Sequence, residues 1–265
     1  MPHPSGKFQE FRGLHQRCFV IANAWDAGSA RMLAGLGFPA LATSSGAHAG
    51  TLGRKDGQVT RDEALAHARA IVEAVEVPVS ADFENCFADD PAKAAETVRL
   101  AAEIGLAGCS IEDAAKGQVY EFELAVERVA AAARKRELVL TARAENFLRG
   151  NPDLDDTIKR LLAYEQAGAD VLMAPGLPDL DSVRKVCSAL SRPFNFMVGI
   201  KGKSFSVEEL KAAGVKRISL ATSLWRAAMS GLIEAAREVK EKGTFTYVER
   251  SLPTPEIVKL FEGPK

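Results

Sequence analysis

Eight times along the chain a short apolar run gives way to an amphipathic stretch. The runs are CFVIANAWD, ALATSSG, PVSADFE, GCSIEDA, LVLTARAE, DVLMAPG, FNFMVGI and RISLATSLW. Four junctions share one punctuation, in AGLGFPALA, AEIGLAGCSI, EQAGADVLM and KAAGVKRISL. A helical stretch closes on glycine, and the next apolar run begins almost at once. Glycine serves as the left-handed helix stop. Nearly continuous apolar runs are what parallel strands need when both faces are covered. Between them, TRDEALAHARAIVEAV puts Ala64, Leu65, Ala68, Ile71, Val72 and Val75 on one helical face. Thr60 and Glu63 form a capping-box signal at its start. PAKAAETVRLAAEIG opens on Pro91 and stops at Gly105. Eight such units in about 250 residues predict a (β/α)8 barrel, one domain over residues 1–265. A doubly wound open sheet would announce itself with G-x-G-x-x-G after strand one. Strand one here runs into NAWDAGSA. The leftover TPEIVKLFEG predicts an additional C-terminal helix, with Thr254 as N-cap and Pro255 in its first turn. Its Ile257, Val258, Leu260 and Phe261 need cover.

A formal net charge of -1 argues against nucleic acid or an anionic membrane as the main partner. No apolar run approaches the roughly 20 residues that span a bilayer. The N-terminal MPHPSGKFQEFRGLHQR lacks the apolar region of a signal peptide. Cys18, Cys86, Cys109 and Cys187 form no C-x-x-C pair. They indicate a reducing compartment rather than a disulfide framework or zinc site. The expectation is a soluble, cytoplasmic protein with a small-molecule ligand.

In this barrel class chemistry sits at the C-terminal ends of the strands. Strand three ends in Asp82 and Glu84, strand four in Glu112 and Asp113, strand five in Arg143, Glu145 and Asn146. Residues two apart on a strand share a face, so Asp82 and Glu84 should point together. With Glu112 beside them, three carboxylates converge at a cost that a cation relieves. All-oxygen ligation favours Mg2+ or Mn2+. Asp113, next to a helix start, reads as a cap or rim partner. Arg143 reads either as a rim salt bridge or as a clamp for a substrate carboxylate. SSGAHAG, where strand two becomes a loop, is either a tight turn or an anion cradle of bare N–H groups. GIKGKS is a phosphate loop or a solvated one. His48 reads as a surface-loop histidine, and Cys86 as an inert thiol.

TSSGAHAG, the downstream LGRKDG, DFE, IEDA and TARAEN lie in register over consecutive strands. Together they resemble the isocitrate lyase/phosphoenolpyruvate mutase superfamily from about Asn23 to Trp225. The resemblance implies that Asp82 binds Mg2+ directly. It makes Glu84, Glu112 and Asp56 the outer acids that hold metal-bound waters. Ser45, Gly46 and Ala47 become the turn that holds the substrate carboxylate or phosphonate, and Arg143 the cation facing the reacting oxygens, with Glu112 beside it in the catalytic group. The implied chemistry passes through a pyruvate enolate or a similar α-oxo acid. A homo-oligomer, dimer or tetramer, with a helix swapped between subunits is implied too.

Departures narrow the expected reaction. The lyase branch carries K-K-C-G-H with an acid/base cysteine. Here SIEDAAKGQVYEFELAVERV runs from strand four almost straight into its helix. The mutase and hydrolase branches carry a longer loop with Lys and Asn, of which Lys116 is no equivalent. Thr43 stands where an aromatic is usual, and NCF (Asn85 to Phe87) where Gly-Tyr-Gly is usual. MAPG replaces an acid on strand six, and strand seven lacks Asn-x-Thr-Glu. The enolate-binding half is kept and the specificity half replaced. The expectation is a Mg2+-dependent C–C lyase or decarboxylase of a small α-oxo or 2-hydroxy carboxylate. The alternatives are a P–C bond mutase or hydrolase, and a non-catalytic oxo-acid-binding barrel.

Overall fold

The four glycines of the junction pattern, Gly37, Gly105, Gly168 and Gly214, all adopt φ between 87° and 102°. Each ends a helix and turns the chain into the next strand. The structure, a computed structural model, describes residues 4–134 and 138–262. Strands β1 (Phe19–Ala24), β2 (Leu41–Thr43), β3 (Val79–Asp82) and β4 (Gly108–Glu112) come first. A small hairpin, β5 (Ala114–Ala115) and β6 (Gln118–Val119), follows. Then come β7 (Val139–Arg143), β8 (Val171–Met173), β9 (Phe194–Met197) and β10 (Arg217–Ser219). All but the hairpin close into one parallel barrel in the order β1-β2-β3-β4-β7-β8-β9-β10. The predicted (β/α)8 barrel is therefore the fold.

Helices α1 (Pro4–Leu14), α2 (Ala27–Gly35), α3 (Ser45–Thr51), α4 (Arg61–Ala74), α5 (Pro91–Glu103) and α6 (Phe122–Ala132) occupy the first half. The second half holds α7 (Leu154–Gln166), α8 (Leu180–Ala189), α9 (Val207–Ala212), α10 (Ser223–Lys242) and α11 (Thr254–Lys259). The Thr60–Glu63 capping box opens α4. Pro91 sits in the first turn of α5, behind an Asp90 N-cap. Phe11 and Leu14 of α1 pack with Phe19, Ile21, Val139 and Val171, closing the N-terminal end of the barrel under the site.

Three local expectations are corrected. The stretch after β2 is no loop: Ser44 caps a helix with a hydrogen bond from Ala47 N. The chain does not run straight from β4 into a helix, because Lys116 (φ 51°) and Gly117 (φ 82°) turn the β5–β6 hairpin. Two positive φ values are the signature of a type I′ turn. Thr254 is the first helical residue, not the cap, which is Pro253 without a side-chain bond.

The C-terminal helix is present, and its cover is divided. Leu260 folds back on α2 so closely that its carbonyl would overlap a Cβ placed on Gly35. By contrast α10, 20 residues and about 30 Å long, has no fully buried side chain, although Leu224 at its start packs on the core. Leu232 and Ile233 on it are 61 % and 48 % exposed. No described helix is long and apolar enough to cross a membrane.

Candidate active site

The barrel register brings the strand-end residues side by side. Asp82 pairs with Ser110 across β3–β4, and Glu112 with Arg143 across β4–β7. They line a cavity of about 1000 Å³ at the C-terminal end of the strands. Arg143 is its electrostatic centre. Nη1 lies 2.8 Å from Glu112 and 3.1 Å from Asp82, and Nη2 lies 2.8 Å from Glu145. Burial opposes the Arg143 charge, but Glu112, Glu145 and Asp82 hold its pKa above the usual range. Asp82 is surrounded by donors. Oδ2 accepts from Ser45 N at 3.2 Å and Ser45 Oγ at 3.1 Å, and Oδ1 accepts from Ser110 Oγ at 3.2 Å.

The predicted residues do not all arrive as expected. Asp56, Ser45, Gly46, Asp82, Glu84, Glu112 and Arg143 line the cavity. Ala47 does not; it is buried, and its N–H is spent on the Ser44 cap. Gly46 is closely approached: a Cβ there would lie 3.3 Å from Asp56 Oδ2 and 3.2 Å from Thr222 Cγ2, so both side chains would have to shift slightly. Glu84 faces the cavity for a different reason from strand alternation. β3 ends at Asp82, and Glu84 has φ 49°, followed by Cys86 at 57° and Phe87 at 59°. Left-handed backbone at non-glycine residues costs on the order of 1–3 kcal/mol each. The surroundings enforce it. Arg128 of α6 donates to the carbonyls of Asn85, Ala88 and Asp89, and Thr97 Oγ1 to that of Cys86. Arg128 also lies over the Tyr120 ring.

Asp113 is a salt-bridge partner, as one of its readings had it, but it is buried rather than on the rim and caps no helix. Its carboxylate accepts from Glu145 N, Tyr164 and Arg160. Cys86 is fully buried, and burial pushes its thiol up to about 12. His48 is no surface-loop residue: it lies on α3 and stacks on His67 at 3.7 Å. The Gly199–Ser204 loop contributes nothing to the cavity wall. Arg149 and the ion-paired role of Glu145 were missed. Arg149 Nη2 lies 3.5 Å from Glu112 and 3.7 Å from Glu145. The i,i+4 spacing of Glu145 and Arg149 was the available signal.

Does the donor set suit a divalent cation? Among the described residues no three acidic, histidine or cysteine side chains form a ready chelate. Five of the wall's six carboxylates nevertheless gather near two of its four guanidiniums: Asp56, Asp82, Glu84, Glu112 and Glu145 around Arg143 and Arg149. Burial, then Asp56 and Asp82, push Glu84 up to about 7. Burial, then Asp82, raise Asp56 as well. Burial also raises Glu112, with Arg143 offsetting part of that effect. A divalent cation would reverse these shifts. The set fits Mg2+, which keeps several waters and needs only one or two direct carboxylates.

A model of the phosphoenolpyruvate phosphomutase family matches residues 11–240. The chain belongs to this family. It lies within the phosphoenolpyruvate mutase/isocitrate lyase superfamily of Mg2+-dependent lyases and mutases. A provisionally assigned lyase/mutase from Burkholderia cenocepacia J2315 is 46% identical, with TM-score 0.95 over 99% of this chain and 98% of that one. The 2-methylisocitrate lyase of Aeropyrum pernix is 26% identical over 87% of this chain and 79% of its own length. Oxaloacetate decarboxylase 2 of Pseudomonas fluorescens (strain Pf0-1) is 28% identical over 83% and 79%.

Proposed function

We propose that this family member is a Mg2+-dependent decarboxylase or C–C lyase of short α-oxo carboxylates, with oxaloacetate its best substrate. One observation carries the ranking: among the described residues, the cavity wall holds neither a histidine nor a cysteine, and its acids near Arg143 are taken up by the metal site and by the two guanidiniums. Retro-aldol cleavage of a 2-hydroxy diacid needs a base for the hydroxyl. Decarboxylation needs only a sink for the electron pair that CO2 leaves behind.

Asp82 would hold Mg2+ directly, with Asp56, Glu84 and Glu112 around it, and the ion would supply Lewis-acid polarisation of the oxo acid. The chain's own residues do the rest. Ser45 and Gly46 present donors to a substrate carboxylate, which competes with Asp82 for the Ser45 N–H and hydroxyl. Arg143 faces the oxygen on which negative charge develops, fixed there by three carboxylates. When the C–C bond breaks, its electron pair delocalises onto that oxygen. The carbon then takes a proton from solvent, giving pyruvate.

A metal-supplemented panel tests this: oxaloacetate, 2-hydroxy diacids, isocitrate, methylisocitrate and phosphonopyruvate, read as pyruvate release. Oxaloacetate should lead in kcat/KM. Missing acid–base help should slow the tricarboxylates by about 10²–10⁴-fold. A tricarboxylate preferred over oxaloacetate overturns the ranking. Phosphonopyruvate as best substrate would favour P–C chemistry. Ligand-dependent thermal shifts without any turnover would leave a binding barrel.

The chain is further expected to form a homo-oligomer through α10, whose apolar Leu232 and Ile233 are bare. Leu232→Glu with Ile233→Glu should lower assembly size, and truncation after Gly243, which leaves α10 in place but strips Leu260 from α2, should lower solubility. A monomer by light scattering at micromolar concentration refutes the assembly.

A further inference from the structure

Beneath the acid cluster the cavity wall continues down the barrel to Ile21, Asn195, Ser219 and Arg217. Arg217, at the start of β10, is 5 % exposed. Its Nε donates to Asn195 Oδ1 at 2.8 Å and its Nη2 to Thr141 Oγ1 at 3.0 Å. Both partners are neutral. Nη1, which carries two N–H donors, is buried with no hydrogen-bond partner in the protein. No ion pair to a carboxylate involves Arg217 among the described residues. The charged groups around it are cations or potential cations. Arg143 lies above it, and His15 of α1 is close enough for the Arg217 charge to depress its pKa. Burial, then Arg143, lower Arg217 to about 9, so it is still a cation at neutral pH.

A buried guanidinium without a counter-charge costs several kcal/mol. Arg143 and Arg149, also on this wall, are already matched by carboxylates. Arg217 is therefore the buried cation of the cavity with charge to spare. We propose that the barrel floor is an anion site, in which Arg217, oriented by Asn195 and Thr141, holds a single carboxylate group or a similarly small anion. Nη1 is shielded in this structure, so the guanidinium shifts to meet its ligand. Two residues along β7 separate Thr141 from Arg143, about 6.6 Å of strand. One end of a short dicarboxylate at Arg143 thus leaves the other within range of Arg217. A free anion would use the same donors. The site stands on the fold and does not depend on the decarboxylase reading.

Thermal unfolding in a chloride-free sulfonate buffer, without Mg2+, tests it with chloride, formate and malonate as probes. The wild type should show a saturable Tm rise of about 5 °C at a hundredfold excess over Kd. Response to chloride and formate identifies a free-ion site; response to malonate alone identifies a seat for one end of a diacid. Arg217→Met should lose the response and keep or raise the anion-free Tm, since it removes an unpaired buried charge. Asn195→Asp tests the same point with Arg217 in place, by giving it a carboxylate of its own. It too should lose the response, and it decides the matter if Arg217→Met fails to fold. A wild type indifferent to all three anions, or a response kept in the folded variants, overturns the proposal. Turnover plays no part in this readout, so either idea can fail alone.

Discussion

Arg143→Ala should lose pyruvate release from oxaloacetate by about 10³-fold or more, and should melt earlier than the wild type. The activity loss follows from where the guanidinium points. Removing one preorganised oxyanion donor typically costs about 10²–10³ in kcat, and Arg143 brings a full charge as well. The stability loss follows from what it leaves behind. Glu112 is 7 % exposed and Glu145 fully buried, and both rest against Arg143. Deleting one partner of a buried ion pair costs about 3–5 kcal/mol. Arg149 still reaches both acids, at 3.5 and 3.7 Å, which softens the effect. The two consequences separate in Arg143→Lys. Lysine restores the charge but not the fork that meets three carboxylates at once. Stability should largely return while kcat stays low. Rates must be measured well below each variant's Tm. Wild-type kcat in Arg143→Ala would remove Arg143 from the chemistry, and full activity in Arg143→Lys would reduce its part to charge alone.

What could be read in advance follows how far apart the interacting residues lie in sequence. The barrel was legible because each strand–helix unit carries its own period and its own glycine stop, as at Gly105 and Gly168. The cavity was legible because a barrel presents strand ends on one face, so Asp82, Glu112 and Arg143 fall together once the strands are counted. Glu84 reached the cavity by a route the period could not show. Its φ of 49° depends on Arg128, more than 40 residues on, holding the loop's carbonyls. Ser45 to Thr51 carries small residues without an apolar stripe, so nothing marked it as helix. Arg217 is the hardest case. In VKRISLATS it looks like a solvated residue at a strand start. Its bonds to Asn195 and to Thr141, the latter 76 residues away, show that it points into the barrel.

Asp82→Ala should abolish Mg2+-dependent ligand binding without unfolding the protein. Asp82 is the acid on which the site's donors converge. Ser45 N and Oγ, Ser110 Oγ and Arg143 Nη1 all reach its two oxygens, at 3.1–3.2 Å. Those bonds fix the carboxylate's orientation before any ion arrives. Its side chain is 20% exposed, and Arg143 keeps Glu112 and Glu145 as partners when it is gone. The fold should therefore survive, unlike that of Arg143→Ala. The outer acids should matter less. Glu84→Gln keeps the shape of the strained loop and removes one charge, for an expected loss of about 10- to 100-fold in metal affinity or activity. Titrating Mg2+ against Tm without substrate reads the metal site apart from turnover. The wild type should shift, Glu84→Gln should shift at higher Mg2+, and Asp82→Ala should not shift at all. Full activity of Asp82→Ala in Mg2+, or wild-type activity that survives exhaustive chelation, would sink the assignment. In that case the five carboxylates would need another source of compensation, and the raised Glu84 would become the leading proton carrier instead of a partner for metal-bound water.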